Sequence, residues 1–426
     1  MKLHSLETHL NHLEEHTGWL NDFDHAIARL SSRLIEIRRH LHAHPEPSGE
    51  EIQTTTYLTE LLQAVGLNPV VKQNDIGLTV DFEIGNPDPT TPLIAIRADI
   101  DALRIPDEKQ VPYRSQNDGV MHACGHDAHS TIVTGIGLAA MGAELTEGVT
   151  NVPAARVRLL FQPAEETCQG ARWMIEQNSL DGVAAILSLH MEPERAVGEA
   201  AVRYGTMTAN CDEVQLTVTG HGGHAARPHH TSDPVAASAE LIMALHQYLP
   251  RSVDSRHPSV FSVGQLMGGY APNVIPETVE IRGSLRTIQA DTRERLHRRI
   301  REIAHGVGKT SGTLIDVDFH NALPSIVNNN DATRCLELAA MQILGTENTS
   351  RIDQPSMGGE DFALYLEQVP GAMIRLGCAR DISDPTLLHS CRFDIDETVL
   401  SLGARIIMRS VLLLGHQLET TSGESL

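Results

Sequence analysis

From about residue 25 to residue 200 the chain alternates stretches of helical apolar periodicity with short apolar runs, the pattern of a sheet flanked by helices. The runs PLIAIRAD, ARVRLLFQ and AAILSLH are β-rich, polar at their C-terminal ends, and predict central strands. AHSTIVTGIGLAAMGAEL (128–145) predicts a helix with Asp127 as its cap. Near residue 205 the pattern changes. DEVQLTVTG alternates like a half-buried strand, DPVAASAELIMALHQYL predicts a helix, and SVFSVGQLMGG and ETVEIRGSLRT predict strands. TRERLHRRIREIAHGVG is then a helix and TLIDVDFH a last strand. This β-α-β-β-α-β order is a split βαβ sandwich. The first style then resumes with a helix near 331–344, a strand GAMIRLG and a closing helix DETVLSLGARIIMRSVLLLG, with NNND (328–331) as a turn at the return. The expected organisation is a helical N-terminal extension (1–32), a discontinuous α/β domain (33–206 and 322–426) and an inserted domain (207–321).

A chain of 426 residues suits two domains. Its 41% hydrophobic and 21% charged residues fit a soluble globular protein. No apolar run is read as approaching the roughly 18 residues of a membrane span. The polar start resembles no signal peptide, so the expected location is cytoplasmic. A formal charge of −22 argues against nucleic acid or an anionic membrane as partner. The six cysteines form no C-x-x-C pair and are expected to be reduced.

Ligands of open α/β sheets sit beyond the carboxyl ends of the strands. Asp99 and Asp101 follow one predicted strand, Glu165 and Glu166 another, and His190 ends a third. Cys124 and His126 precede a helix, where the dipole favours a thiolate, and His389 lies in a distant loop of the same domain. Taken singly, His190 reads as a hydrogen-bonded core histidine, the two glutamates as a solvated pair, and Asp99 with Asp101 as a turn. Their convergence on one sheet edge favours a site for one or two divalent ions such as Zn, Mn, Co or Ni, because the acidic groups would otherwise repel one another. A carboxylate that is not a ligand could act as general base on a metal-acidified water, which points to hydrolysis. A metal-free cysteine hydrolase built on Cys124 is the weaker alternative.

The segments LIEIRRHLHAHPEPSGEE, IRADIDAL, MHACGHDAHST, FQPAEET, LHMEP, GHGGHAARPH, GGYAPNVIPE, IRGSLRT, MGGEDFALYLEQVPGAMIRLG and LHSCRFDIDE stand in an order that resembles the amidohydrolases of the aminoacylase and carboxypeptidase metallopeptidase family. That group includes hippurate hydrolase, N-acyl-amino-acid amidohydrolase and indole-acetyl-amino-acid hydrolase, and the resemblance spans about residues 33–415. It implies a metallopeptidase-like α/β catalytic domain carrying an inserted ferredoxin-like (βαββαβ) lid, and cleavage of N-acyl or N-aroyl amino acids to a carboxylate and a free amino acid. It also implies that Cys124, His126, Glu166, His190 and His389 hold two divalent ions (Mn, Zn, Co or Ni), with Glu165 as general base and Asp101 orienting a ligand. His224 would polarise the scissile carbonyl, and Asn273 and Arg286 would hold the substrate carboxylate. The implied partners are further copies of the chain, in a homodimer or higher homo-oligomer joined through the lid.

The chain departs from the family pattern at Arg104, where proline is usual, at Thr167 and Cys168, where glycines are common, and at Cys391, another usual proline. None replaces a ligand or the base. A dipeptidase or carboxypeptidase of the same family, and a non-catalytic metal-binding or amino-acid-binding protein, are the alternatives.

Overall fold

The computed structural model describes residues 13–142, 151–383 and 385–423. The expected helical residues 1–12 and the expected helix end at 143–145 lie outside them. Two compact units emerge. One comprises the described residues up to Gly205, together with Val327–Asp353 and those from Leu364 on; the other comprises Thr206–Ile326 and Gln354–Ala363.

The first unit is built on an eight-stranded sheet whose middle is parallel. Strand Leu93–Asp99 runs parallel to Ala155–Gln162 on one side and Val183–Ala196 on the other, and Gly371–Ala379 lies parallel beyond the latter. Every residue of Leu93–Asp99 is buried, as expected of a parallel strand covered on both faces. Leu78–Ile84 closes antiparallel on Ala155–Gln162, while Ala200–Val202 and Thr349–Arg351 extend the far edge. Helix Thr17–Ala43 runs unbroken past residue 32, with Trp19, Phe23, Ile27, Leu34 and Ile37 all in the core.

The closing helix corrects one expectation. Thr398–Thr420 is long and apolar enough to cross a membrane, with a mean hydropathy of 1.6, but 72% of that window is buried. Ile406, Ile407, Val411 and Leu413 join the core of the first unit, so its apolar character is that of a core helix.

In the second unit, strands Ser259–Gly268, Thr278–Thr287, Asn210–Thr219 and Leu314–Leu323 form, in that spatial order, an antiparallel sheet. With helices Pro234–Tyr248 and Ala290–Ser311 the chain order is β-α-β-β-α-β. Asp233 starts the first helix by accepting the amides of Val235 and Ala236, with Pro234 at the first position, where its missing N–H costs nothing. Val214, Leu216, Val218, Leu241, Leu245, Ile281, Leu285, Leu296 and Ile300 form a separate core. Gln354–Ala363 is tied into this unit by Ser356 N–H to Met207 O (2.9 Å) and Ala209 N–H to Gly358 O (3.1 Å).

Candidate metal centre

The centre lies where the parallel strands cease to be equal in length. Leu93–Asp99 pairs with Val183–Ala196 only as far as Arg97↔Ser188, whereas Gly371–Ala379 follows the latter to Ala196. His190 therefore sits within a strand and not at its end, where the sequence places it, because Gly371–Ala379, whose Arg375 pairs with His190, prolongs the pairing. Its Nδ1–H donates to Met191 O at 2.7 Å, which leaves Nε2 facing Cys124 Sγ at 3.6 Å. Burial, reinforced by Arg375, holds its pKa well below the usual range, so the ring is neutral, the form that ligates metals.

Cys124 and His126 flank Gly125, whose φ is +87°. A β-carbon there would meet Met191 Cγ at 2.7 Å, so the close turn that sets thiol beside imidazole requires glycine. His126 opens helix His126–Gly142. Asp127 thus falls inside the first turn and does not precede it as a cap. Its Oδ2 accepts instead from fully buried Arg38 (2.8 Å) and from His42 Nδ1 (2.7 Å). Arg38 and His42 come from a helix 89 and 85 residues earlier.

Asp101 organises the neighbouring loops. Its Oδ1 lies 3.1 Å from His126 Nδ1, and its Oδ2 accepts from Ser48 Oγ (2.6 Å) and from the Glu166 amide (3.0 Å). His126 Nε2 is left free to face Glu165 Oε2 at 4.0 Å and Glu166 Oε1 at 3.9 Å. His389, at φ +61°, is held by its N–H to Ala123 O (2.7 Å), and its Nε2 stands 3.6 Å from Glu166 Oε1.

Two observations bear on whether these groups suit a cation. His126 Nε2 and Glu166 Oε1 are buried atoms with no hydrogen-bond partner among the described residues, an arrangement that costs about 1–3 kcal/mol per atom unless something binds there. Donor atoms of Cys124, His126 and His190 lie within 4.8 Å of one another, as do those of Cys124, Glu166 and His389, and those of His126, Glu165 and Glu166. The electrostatics agree. Burial and the charges of Asp101 and Asp99, against the pull of His126, push Glu166 up to about 7. Burial pushes the Cys124 thiol up to about 12, although His126 opposes it. Burial also disfavours a charged His126, yet Asp99 and Cys124 raise its pKa well above the usual range. The site therefore draws positive charge, and a thiolate, imidazoles and carboxylates are the donors a borderline-soft divalent ion takes.

The structure separates ligand candidates from supports. Asp99 gives Oδ1 to His129 Nδ1–H (2.6 Å) and Oδ2 to Arg97 Nη1–H (2.6 Å). His129 Nε2 in turn accepts the Met191 amide at 2.9 Å, so both its nitrogens are engaged. The sequence pointed to Asp99 but not to its partner His129, nor to Glu51, which is fully buried and accepts the Ala164 amide at 2.7 Å. Its signal was the doubled acid of SGEE before a helix. Of the departures from the family pattern, Arg104 pairs with Glu50 at 2.5 Å on the surface, and Cys391 Sγ lies 3.2 Å from Glu108 Oε2.

His224, Asn273 and Arg286 belong to the second unit. His224 and Asn273 come together on one short ribbon, where Val274 pairs with His224 and the Ala225 amide donates to Asn273 O (3.1 Å). His224 Nδ1 accepts the Ala226 amide at 3.1 Å. Arg286, on strand Thr278–Thr287, donates through Nη1 to Cys211 Sγ and through Nε to Ser284 Oγ (3.0 Å). It forms no ion pair with a carboxylate among the described residues.

The model of peptidase family M20/M25/M40 matches residues 95–412. The chain is 40% identical over 377 residues to a probable hydrolase of Synechocystis, covering 88% of this chain and 93% of that protein. It is 35% identical over 378 residues to the N-acetyl-L-cysteine deacetylase of Bacillus subtilis, covering 88% and 86%. Among solved structures, a dinuclear metal-binding peptidase of the M20 family from Bacillus subtilis superimposes with a TM-score of 0.76 at 31% identity, covering 90% of this chain and 98% of that one. With the family's sequence pattern matched over most of its length, the chain belongs to peptidase family M20/M25/M40 and is a hydrolase of amide bonds.

Proposed function

We propose that the protein hydrolyses N-acyl or N-aroyl amino acids to a carboxylate and a free amino acid. The observation that carries this reading is the pair of orphaned buried atoms, His126 Nε2 and Glu166 Oε1, facing one another beside the second carboxylate of Glu165. Cys124, His126, Glu166, His190 and His389 would hold two divalent ions drawn from Mn, Zn, Co and Ni. When bound, the ions would act as Lewis acids that acidify a water and polarise the acyl carbonyl.

The chain's own residues do the rest. Glu165 takes the proton of the attacking water and returns it to the leaving amine. Asp101 fixes His126 through Nδ1 and the Glu166 backbone through its amide, so that both keep their orientation. Arg286, a cation without a carboxylate partner among the described residues, and Asn273 receive the substrate carboxylate, and His224 stabilises the developing oxyanion. The second unit serves as a lid and as the contact between two copies of the chain. The likeness to an N-acetylcysteine deacetylase supports a small acyl amino acid as substrate. Six free cysteines suit a reducing, cytoplasmic setting.

The test is metal content of the purified protein, followed by release of amino acid from hippurate, N-acetyl amino acids, indole-acetyl-alanine and dipeptides before and after chelation. Chelator-sensitive turnover of acyl amino acids supports the reading. Turnover of dipeptides alone would replace it by a dipeptidase, and metal without turnover on any of them would leave a binding protein.

A further inference from the structure

Glu51 stands at the start of helix Ile52–Gln63, yet its side chain makes no capping bond there. That task falls to Glu46, whose carboxylate accepts the amides of Gln53 (3.1 Å) and Thr54 (2.8 Å). Glu51 turns inward and gives Oε1 to the amide of Ala164, 113 residues away, at 2.7 Å.

Ala164 is a strained point. Its φ is +54°, in the left-handed region that a residue with a β-carbon adopts at a cost of roughly 1–2 kcal/mol. Its carbonyl accepts from Gly170 N–H at 3.1 Å, and Gly170 permits this only as glycine, since a β-carbon would fall 1.6 Å from Pro163 O. On the other side of Glu165, the Glu166 amide is held by Asp101 Oδ2 at 3.0 Å. Two buried carboxylates therefore grip the amides immediately before and after Glu165. Keeping Glu51 buried near Asp101 is unfavourable: burial first, and Asp101's charge second, push it up to about 7. A general base is effective only when held within hydrogen-bond reach of the proton it takes, and the loop that carries this one has no helix or strand of its own to hold it.

We infer that Glu51 is a positioning residue for Glu165, fixing the base through the Ala164 amide. The inference rests on the reading of Glu165 as general base. The test compares Glu51→Met, which deletes the acceptor at similar volume, with Glu51→Gln, which keeps an acceptor oxygen, and Glu51→Asp, which withdraws it by one methylene. Glu51→Met and Glu51→Asp should lower kcat by about tenfold to a hundredfold, with KM and bound metal within about twofold of wild type. Glu51→Gln should recover most of the lost kcat. Amide hydrogen exchange across residues 164–168 should speed up in Glu51→Met and Glu51→Asp but not in Glu51→Gln. Wild-type kcat per metal-loaded molecule in both the Met and the Asp variants would overturn the inference and leave Glu51 a purely structural acid. If Glu51→Met does not fold, the Asp and Gln pair decides by the same readouts. Glu165→Gln, assayed alongside, separates the two failures: full turnover there would refute the base itself, whereas its loss together with unchanged Glu51 variants would refute only the positioning role.

Discussion

His129 Nε2 accepts the Met191 amide at 2.9 Å, just past the point where strand Leu93–Asp99 stops pairing with Val183–Ala196. A side chain thus satisfies an N–H that a neighbouring strand no longer serves. Of the three histidines in HACGHDAH, this makes His129 a support and His126 a ligand candidate. His129→Leu should leave Asp99 and the Met191 amide each short of a buried partner and lower stability by about 2–5 kcal/mol, while metal bound per folded molecule stays the same. His126→Ala should instead remove metal, with a stability cost of its own in the metal-free protein, since it deletes the unpartnered Nε2 but also the partner of Asp101 Oδ1. Urea unfolding of the metal-free proteins together with metal titration reads both.

Glu165 carries the proton in the proposed reaction, so Glu165→Gln should lower kcat by about a thousandfold or more while KM and metal content hold within a few-fold. The amide is isosteric and cannot accept a proton at neutral pH. Steady-state kinetics on the best acyl amino acid, with metal analysis of the same sample, is the check; wild-type turnover in this variant would remove Glu165 from the mechanism.

The candidate site and the second unit's fold were legible for different reasons. The βαββαβ order could be read from local periodicity because each element there buries one face against a common core. The gathering of Cys124, His126 and Glu166 followed from one loop placed after a predicted strand and another placed before a predicted helix. What the sequence hid was set by residues far away in the chain. His190 lies within its strand because Gly371–Ala379 runs beside it. Asp127 is turned from helix cap to ion-pair partner by Arg38 and His42. Glu51 acquires its role only in the fold, which brings Ala164 against it. The closing helix read as ordinary from composition, and only its burial separates it from a membrane span.

Among the described residues Arg286 makes only neutral contacts, to Cys211 Sγ and Ser284 Oγ, so its charge is available to an anion. Arg286→Met should raise KM for N-acyl amino acids by about tenfold to a hundredfold, a loss of roughly 1.5–3 kcal/mol for a hydrogen bond to a charged group. The matching amides, which lack the free carboxylate, should be hydrolysed equally by both proteins. Equal KM changes for the two substrate types would mean that Arg286 does not read the carboxylate.

Lys109 is buried with its Nζ 2.7 Å from His42 Nε2 and 2.7 Å from Phe393 O, joining its own loop to the segment that follows His389. Burial, against the opposing pull of Asp107, lowers its pKa from 10.5 to about 8. The unfolded chain keeps the ordinary value, so between pH ~8 and ~10.5 it holds a proton that the folded protein has released, and rising pH then favours the folded state. Below that window both states are charged and folding bears the full cost of the buried cation. Above it both are neutral and the cost is gone. Relative to Lys109→Met, which cannot titrate, the wild type should gain up to about 3 kcal/mol across the window. Urea midpoints of the two proteins at pH 7.5, 9 and 10.5 measure the difference, in which titrations common to both cancel. A constant gap would mean that Lys109 keeps an ordinary pKa and that the contact with His42 forms without cost to the charged amine.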